Sequence, residues 1–567
     1  METQDTIMHK VKLAAAPRAT MIFLLCAILA AASAGLVSAS EKEPGLRFEN
    51  TNIILVTLQC LRLDHMGIGG YQRDTTPNLD RIAESSVLFE NSIGQTNLTP
   101  VAMMAAMTGK YPRINGMVSF DISEKSVPSR TMAEIMKYYD YHTAAVVTTP
   151  EFFVRFDGKS GSKVNLHDVF SRSYDEYIWP MGRVSKSVRE LPTQALEWLE
   201  KNKDKRFFLW IASGTMHPPY AATVPEPVKS MFDPPGYTPF WTKFFPIAGS
   251  KAGPADPSIE RFLRIWDDTY YMDFKPVYSL KSEDRAYIIG RYDAGVRYTD
   301  SFVGALHAKL KETGLLNNTL VIYYSIHGKT LGEKGRFVNY DLYDPTIKNV
   351  LMMQFPDGLS AGRRIKEQVQ GIDILPTLLD YLDIPIAADM QGTDLMPLIR
   401  GDTDAKGSKY VFIDRRPYFE HWMSRFFLDL RFQDPENRNH PPSEDKAIAA
   451  YVEMLQEEFP LDQYPPGDIA VRTNQWKLIV RKNPQLLEKI SWPAFITGKP
   501  FPTSELELYN LVTDPQELHN VAADNPKVVA ELKAKLIAWD AENEKKAAPY
   551  YIPGEKRYFI PYPGVPD

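Results

Sequence analysis

Short, continuously apolar runs recur along this chain and constrain its fold more than any other feature. A run of this kind, without strict alternation of apolar and polar residues, is typical of a strand buried on both faces of a parallel sheet. Amphipathic stretches between the runs are typical of helices. The alternation predicts an α/β fold with a large sheet flanked by helices. The runs lie at 52–58, 142–148, 206–212, 319–325 and 349–355, and the stretches interpreted as helices include 76–90, 191–202 and 300–314.

The length and the later pattern predict a second unit. A chain of 567 residues is too long for one ordinary domain. Beyond Gly401 the pattern changes to AVRTNQWKLIVRK and ELELYNLVTDPQELHNVA, followed by the helical stretch KVVAELKAKLIAWDAENEKK. We therefore predict a large domain over 50–400 and a smaller C-terminal α+β subdomain over 408–545. A Pro- and Tyr-rich tail follows at 546–567.

The N-terminus predicts export. Basic residues precede the apolar run MIFLLCAILAAASAGLV, which ends near small residues at Val37 and Ala39. This order is typical of a secretory signal peptide, here 1–39, and predicts a periplasmic or secreted protein without a membrane span after cleavage. The alternative is a retained membrane anchor. The net charge of -6 gives no indication of nucleic-acid binding.

Two loops are the predicted location of a functional site. Ligands of α/β sheets bind where loops leave the carboxyl ends of the strands. The sequence TLQCLRLDHMG follows the first apolar run, and SIHGKTLGEKG follows the run at 319–325. We expect the side chains of these loops to lie at one edge of the sheet.

An ordered series of motifs resembles the sulfatase family of the alkaline phosphatase superfamily. The resemblance extends from Asn52 to Trp539 and implies the sulfatase-like fold, with a large mixed sheet and a small C-terminal subdomain. The motifs, in order, are NIILVTL with LRLDHMG, TTPNLDRIAESSVLFENS, MTGKYPRINGM, TMAEIMKYYDYHTAAVV, HPPY, YDAGVRYTDSFVGALHAKLKETGLLNNTLVIYYSIHG, GIDILPTLLDYLDIP and ELYNLVTDPQELHNV.

The resemblance also implies which catalytic residues this chain lacks. Sulfatases hold calcium or magnesium with clustered carboxylates and attack sulfate with a formylglycine made from a cysteine. The metal-binding positions fall here on Gln59, Cys60 and Ile326, none of which carries a carboxylate. The nucleophile position falls on Thr99, and the arginine of that motif falls on Met103. The resemblance thus implies a site without the family's ion, and we expect no cofactor.

Other residues near these loops remain candidates. His217 in HPPY and His327 are candidate catalytic residues together with Thr99, although a histidine after a strand is more often a hydrogen-bonded structural residue. Lys110 and Arg113 follow the nucleophile motif and are candidates for binding an anion. Cys60 as a soft metal ligand beside His327 is a further interpretation, and a small buried residue is the simpler one.

Two functional hypotheses follow. The first is an exported, catalytically degenerate sulfatase homologue that keeps a cleft for a sulfated glycan or another anion, or that serves as a scaffold for a protein partner. The alternative is an active hydrolase of sulfuric or phosphoric esters that uses Thr99, His217 and His327 with a non-standard calcium or zinc site.

Overall fold

A computed structural model gives the fold of the chain. It describes residues 51–117, 127, 129–148, 166–172, 174–179, 184–217, 220, 224–238, 281–335, 341–415, 468–481 and 504–546. The predicted signal peptide and the predicted tail beyond Lys546 lie outside the described residues.

Strands of two sheets account for the apolar runs. They are β1 (Asn52–Leu58), β2 (Val87–Ile93), β3 (His142–Val147), β4 (Glu176–Ile178), β5 (Phe207–Ser213), β6 (Thr319–Tyr324), β7 (Lys348–Gln354), β8 (Arg364–Gln370), β9 (Val411–Asp414), β10 (Ile469–Arg472), β11 (Trp476–Val480) and β12 (Leu506–Asn510).

Helices surround both sheets. They are α1 (Pro77–Ala83), α2 (Thr99–Thr108), α3 (Pro112–Asn115), α4 (Met132–Tyr138), α5 (Leu166–Ser171), α6 (Val184–Asn202), α7 (Ser282–Glu312), α8 (Asp344–Ile347), α9 (Ile374–Tyr381), α10 (Met396–Arg400) and α11 (Pro526–Lys546). No helix of the described ranges is both long enough and apolar enough to span a membrane.

The large sheet is mixed, as predicted. Its eight strands have the order β4-β3-β5-β1-β6-β7-β2-β8. Strand β1 is central and runs parallel to β5 and to β6, with Leu58 opposite Ser213 and Thr57 opposite Tyr324. Strand β7 is antiparallel to both of its neighbours. Because β1, β5 and β6 end at the same edge, the loops after these strands are brought together there.

Alternate side chains of β1 explain its continuous apolar sequence. Ile53 and Leu55 belong to one hydrophobic cluster, whereas Ile54 and Val56 belong to another. Successive side chains of a strand point to opposite faces of the sheet. Both faces of β1 are therefore covered by packed residues, which explains the apolar run Ile53–Val56.

The interpretation of 76–90 as one helix is partly wrong. Helix α1 ends at Ala83, and strand β2 begins at Val87. The hydroxyls of Ser85 and Ser86 donate to the carbonyl oxygen of Ile82 and occupy the end of the helix. Serine side chains compete with helical backbone bonds in this way. The apolar residues that follow pair with β7 and β8 instead of continuing the helix.

The smaller C-terminal unit matches the predicted antiparallel sheet with a terminal helix. Its four strands have the order β12-β11-β10-β9. Leu532, Leu536 and Trp539 of helix α11 share a hydrophobic cluster with strands of this sheet. Ala105 of α2 and Tyr111 belong to the same cluster, so α11 also packs against the large domain.

Candidate functional site

Thr99 and His327 meet at the edge of the large sheet. Thr99 is the first residue of α2, and His327 follows the end of β6. The Oγ1 atom of Thr99 lies 2.7 Å from Nε2 of His327, and both side chains are buried. The structure thus brings together two of the three predicted catalytic candidates.

The hydrogen bonds of His327 define its tautomer. Its Nδ1 atom lies 2.8 Å from the carbonyl oxygen of Gly328, which can only accept a hydrogen bond. The proton of the neutral ring therefore lies on Nδ1, and Nε2 accepts the hydrogen bond that the Thr99 hydroxyl donates. Burial, with a smaller contribution from the charge of Lys329, lowers the pKa of His327 to about 4 against the opposing effect of the hydrogen bond to Gly328, so the ring is neutral at pH 7. A hydroxyl held against an oriented, neutral imidazole has the geometry of a nucleophile and its base.

The charge state of His327 predicts a loss of stability in acid. The pKa of the folded protein, about 4, lies below the usual 6.5, so the unfolded chain binds a proton first as the pH falls. The contribution of the neutral His327 ring to the stability of the fold is complete above pH 6.5 and is lost as the pH falls from 6.5 to about 4. The difference between the two pKa values corresponds to about 3 kcal/mol in the free energy of unfolding.

Urea unfolding at pH 7 and pH 4.5 measures this loss. We expect the free energy of unfolding of His327→Gln to depend less steeply on pH than that of the wild type. His519→Gln is the matched control, because the side chain of His519 is 79% exposed. Equal pH dependence in the wild type and His327→Gln would contradict the assignment of a neutral buried ring.

Ile326 and Met103 are part of the hydrophobic core. Both side chains are fully buried and belong to the same hydrophobic cluster. The resemblance to sulfatases places a metal-binding aspartate at the first position and an arginine at the second. An apolar side chain offers neither a lone pair to a cation nor a donor to an anion, so these two positions now contribute packing.

Cys60 lies in a constrained turn after β1. Its φ angle is 65°, a left-handed value that is uncommon for a residue other than glycine. The hydroxyl of Tyr292 donates to the carbonyl oxygen of Cys60 at 2.6 Å and accepts from the backbone N–H of Arg62 at 3.1 Å. Burial raises the pKa of the Cys60 thiol, although the charge of Lys329 opposes this effect. Since the thiolate is the metal ligand, this environment disfavours the interpretation of Cys60 as a soft ligand.

Gln59 lies at the junction of three strands. Its backbone N–H donates to the carbonyl oxygen of Ser213 at 3.0 Å. A Cβ atom built on Gly214 would lie 3.3 Å from Oε1 of Gln59 and 3.1 Å from Oγ1 of Thr148. The amide of Gln59 therefore lies beside the ends of β3 and β5, and its side chain makes no hydrogen bond with another residue of the described ranges.

The side chains at this edge do not fit a calcium or magnesium ion. These hard cations require several anionic or carbonyl oxygen ligands. Gln59, Cys60 and Ile326 provide no carboxylate at the positions where the family resemblance places the ligands. Within the part of the chain that the structure describes, no group of three or more His, Cys, Asp or Glu residues could hold a metal ion.

Lys110 and Arg113 lie away from Thr99 and His327. Thr99 begins α2 and Lys110 follows its C-terminal cap, Gly109. A helix of 10 residues is about 15 Å long. The structure therefore places the two predicted anion-binding residues at the opposite end of α2.

Both cations have carboxylate partners. Lys110 forms an ion pair with Asp389. Nε of Arg113 lies 2.9 Å from Oδ2 of Asp414, and its Nη1 atom lies 2.6 Å from Oδ1 of Asp540. Both aspartates belong to the C-terminal unit. The contacts of Arg113 connect the two units. A role for Lys110 or Arg113 in anion binding stays a prediction.

His217 lies at the same edge of the sheet as Gln59, where the parallel strands β5 and β1 end. It follows β5, it is half-buried, and its backbone N–H donates to the carbonyl oxygen of Gly214 at 3.0 Å. Its position agrees with a place at the carboxyl edge of the sheet, whereas its chemical role stays a prediction.

Lys329 is a residue of this edge that the sequence analysis did not select. Only 1% of its surface is exposed, and its charge lowers the pKa of both Cys60 and His327. Its carbonyl oxygen accepts from Nη1 of Arg62 at 2.7 Å. The sequence does place Lys329 directly after His327 and Gly328, in a loop that is predicted to belong to the site, and this position could have indicated it.

Comparisons of sequence find similarity to sulfatases. A family model described as Sulfatase matches residues 51–384. An N-acetylglucosamine-6-O-sulfatase of Bacteroides thetaiotaomicron is 24% identical over 480 residues, which cover 73% of this chain and 82% of that protein. A sulfatase of Formosa agariphila is 24% identical over 408 residues, which cover 65% of this chain and 76% of that protein.

Comparisons of structure show the same fold. A phosphonate monoester hydrolase of Agrobacterium radiobacter has a TM-score of 0.60 at 17% identity, with 87% of this chain and 96% of that chain covered. A protein solved with its substrate D-glucosamine-2-N,6-O-disulfate has a TM-score of 0.59 at 17% identity, with 88% of this chain and 98% of that chain covered.

Proposed function

Because the chain belongs to the sulfatase family, we propose that it binds a sulfated glycan at the edge around Thr99 and His327 and does not hydrolyse sulfate esters by the family's metal and formylglycine chemistry. The observation that carries this proposal is the set of side chains at the metal positions. Gln59 is an amide, Cys60 a buried thiol and Ile326 a core residue. Thr99 in turn cannot be converted to formylglycine.

A sulfated sugar is the ligand class that the comparisons support. One relative is named an N-acetylglucosamine-6-O-sulfatase, and one protein of the same fold was solved with a disulfated glucosamine. The signal peptide predicted for 1–39 would place this proposed binding outside the cytoplasm. A scaffold for a protein partner is the version of this proposal that remains if no anion binds.

Hydrolysis with Thr99 as the nucleophile is the second candidate function. The 2.7 Å contact between Thr99 and His327 favours it. In such a reaction, His327 Nε2 would take the hydroxyl proton while Oγ1 attacks the sulfur or phosphorus of the ester. The alcohol would leave with that proton, and water would release the sulfate or phosphate from Thr99 in a second step.

Turnover of 4-nitrophenyl esters separates the two functions. We expect the wild type to hydrolyse 4-nitrophenyl sulfate no faster than Thr99→Ala, because both the ion ligands and the formylglycine precursor are replaced. Co-expression with a formylglycine-generating enzyme should leave the rate unchanged. Hydrolysis of the sulfate or the corresponding phosphate at ten times the Thr99→Ala rate or more would replace the proposed function with the second candidate.

A further inference from the structure

Gln59, Thr148 and Gly214 come together where strands β1, β3 and β5 end. The backbone N–H of Gln59 donates to the carbonyl oxygen of Ser213 at 3.0 Å, and the backbone N–H of Thr148 donates to the carbonyl oxygen of Ala212 at 2.9 Å. The backbone N–H of Gly214 in turn donates to Oγ1 of Thr148 at 3.0 Å. These bonds fix the three residues next to one another at the carboxyl edge of the sheet.

Glycine at position 214 leaves a space between the two polar side chains. A Cβ atom at this position would lie 3.1 Å from Oγ1 of Thr148 and 3.3 Å from Oε1 of Gln59. Ordinary contacts of side chains are longer, so a side chain at Gly214 would have to displace one of the two oxygens. Gly214 is only half-buried, so the space lies at the surface of the edge. Both oxygens therefore border one space that a ligand group can approach.

Gln59 and Thr148 carry hydrogen-bonding groups that no other described residue uses. Gln59 is 3% exposed and Thr148 is 5% exposed. The amide of Gln59 offers an acceptor oxygen and two N–H donors, and none of them has a partner within the described ranges. The hydroxyl of Thr148 accepts from Gly214 and still has its own proton to donate. Because polar groups buried without a partner are costly, this arrangement favours a ligand that satisfies them.

The side chains that flank Gly214 are uncharged, and this selects the kind of ligand group. Ser213 and Thr215 are buried, and their hydroxyl oxygens lie 3.0 Å apart in a hydrogen bond with each other. Gln59 and Thr148 are neutral as well. A sulfate oxygen can only accept a hydrogen bond, and it would face the acceptor oxygen of Gln59 at this place. A sugar hydroxyl both donates and accepts, so it matches the amide and the hydroxyl together.

We propose that Gln59 and Thr148, with the space at Gly214, form a subsite for a neutral hydroxyl group of the glycan. The inference rests on the proposed function, and it adds the residues that recognise the sugar instead of its sulfate. The strand order β3-β5-β1-β6 places this subsite on one side of β1, and the bonded pair of Thr99 and His327 on the other. Neighbouring strands lie about 4.8 Å apart, so the ends of β5 and β6 are about 10 Å apart. One glycan can therefore reach both places.

Titration calorimetry tests this subsite with probes that share a sulfate group and differ in the sugar. Methyl sulfate has no sugar hydroxyl, whereas glucose 6-sulfate and galactose 6-sulfate differ in the orientation of one hydroxyl. We expect the wild type to bind at least one sugar sulfate about tenfold more tightly than methyl sulfate. Gln59→Met removes the amide and should weaken that sugar sulfate about threefold to tenfold, with methyl sulfate unchanged. Gln475→Met, at an exposed position between β10 and β11, is the matched control and should bind like the wild type.

A second variant keeps the test decisive if Gln59→Met does not fold. Thr148→Val removes the hydroxyl, keeps a branched side chain and should weaken the same sugar sulfate about threefold. Wild-type affinity for the sugar sulfate in both variants, or in the folded one alone, would overturn this inference and leave the proposed function standing. An equal loss of affinity for methyl sulfate, or a wild type that binds neither sugar sulfate more tightly than methyl sulfate, would also overturn it. No binding of these probes or of heparin by the wild type would overturn the proposed function itself, and this inference with it.

Discussion

Replacing Arg481 with methionine is expected to lower the free energy of unfolding by about 3–5 kcal/mol, the range for breaking a buried ion pair. Arg481 is fully buried between the two units. Its guanidinium group lies 2.7 Å from Asp468 and 2.7 Å from Glu507, and Nη2 donates to the hydroxyl of Tyr343 at 3.0 Å. Methionine fills much of the volume but leaves two carboxylates buried without this cation.

The pH dependence of the loss identifies its cause. Burial raises the pKa of Glu507, but Arg481 outweighs this effect, and the pKa lies below its usual 4.5. A carboxyl group with a lowered pKa stabilises the fold above its unfolded pKa, and this stabilisation is lost as the pH falls through the folded value. The difference between the wild type and Arg481→Met should therefore shrink as the pH falls below about 4.5.

Arg400→Met is the matched control for urea unfolding. Arg400 also pairs with a carboxylate, Asp380 at 3.3 Å, but the two side chains are 40% and 37% exposed. An exposed pair contributes about 0–1 kcal/mol. A loss of less than 1 kcal/mol in Arg481→Met, equal to that of the control, would contradict a structural role for this buried cluster.

The central strands could be predicted from the sequence because burial on both faces leaves a local pattern. The run NIILVTL coincides with β1. Strand β8 gives no such signal, since it lies at the end of the sheet order and exposes Arg364, Lys366 and Glu367. Strand β2 was hidden because its apolar residues continue the pattern of α1, and only the serine contacts at the end of that helix separate the two.

The candidate site depends on contacts that sequence distance conceals. Thr99 and His327 are 228 positions apart, and the family resemblance alone suggested that both belong to one site. Lys110 is close to Thr99 in sequence, yet α2 separates the two residues in space. Lys329 was missed because a buried lysine has the same local pattern as an exposed loop lysine.

Introducing a carboxylate at Ile326 is expected to destabilise the protein by about 4 kcal/mol without creating a calcium site. The estimate combines the loss of a buried isoleucine, about 2–5 kcal/mol, with the cost of burying a polar group. The backbone around Ile326 has no freedom to adapt, because Nδ2 of Asn349 binds the carbonyl oxygens of Ser325 at 2.6 Å and Ile326 at 2.5 Å.

Urea unfolding with and without calcium measures both parts of this expectation. Ile386→Asp is the matched control, since Ile386 is 40% exposed and the same substitution there should cost less than about 1 kcal/mol. A calcium site would stabilise Ile326→Asp by about 2.7 kcal/mol at a hundredfold excess of calcium over its dissociation constant. Such a stabilisation would show that Gln59 and Cys60 suffice as the remaining ligands.

Calcium binding should instead require changes in both loops. Ile326→Asp adds a carboxylate to one loop only, and a hard divalent cation requires several oxygen ligands. Adding Gln59→Asp and Cys60→Asp supplies the opposite side of the site, and aspartate is among the residues best tolerated at the left-handed φ of 65° of Cys60. Calcium should therefore stabilise the triple variant and not Ile326→Asp.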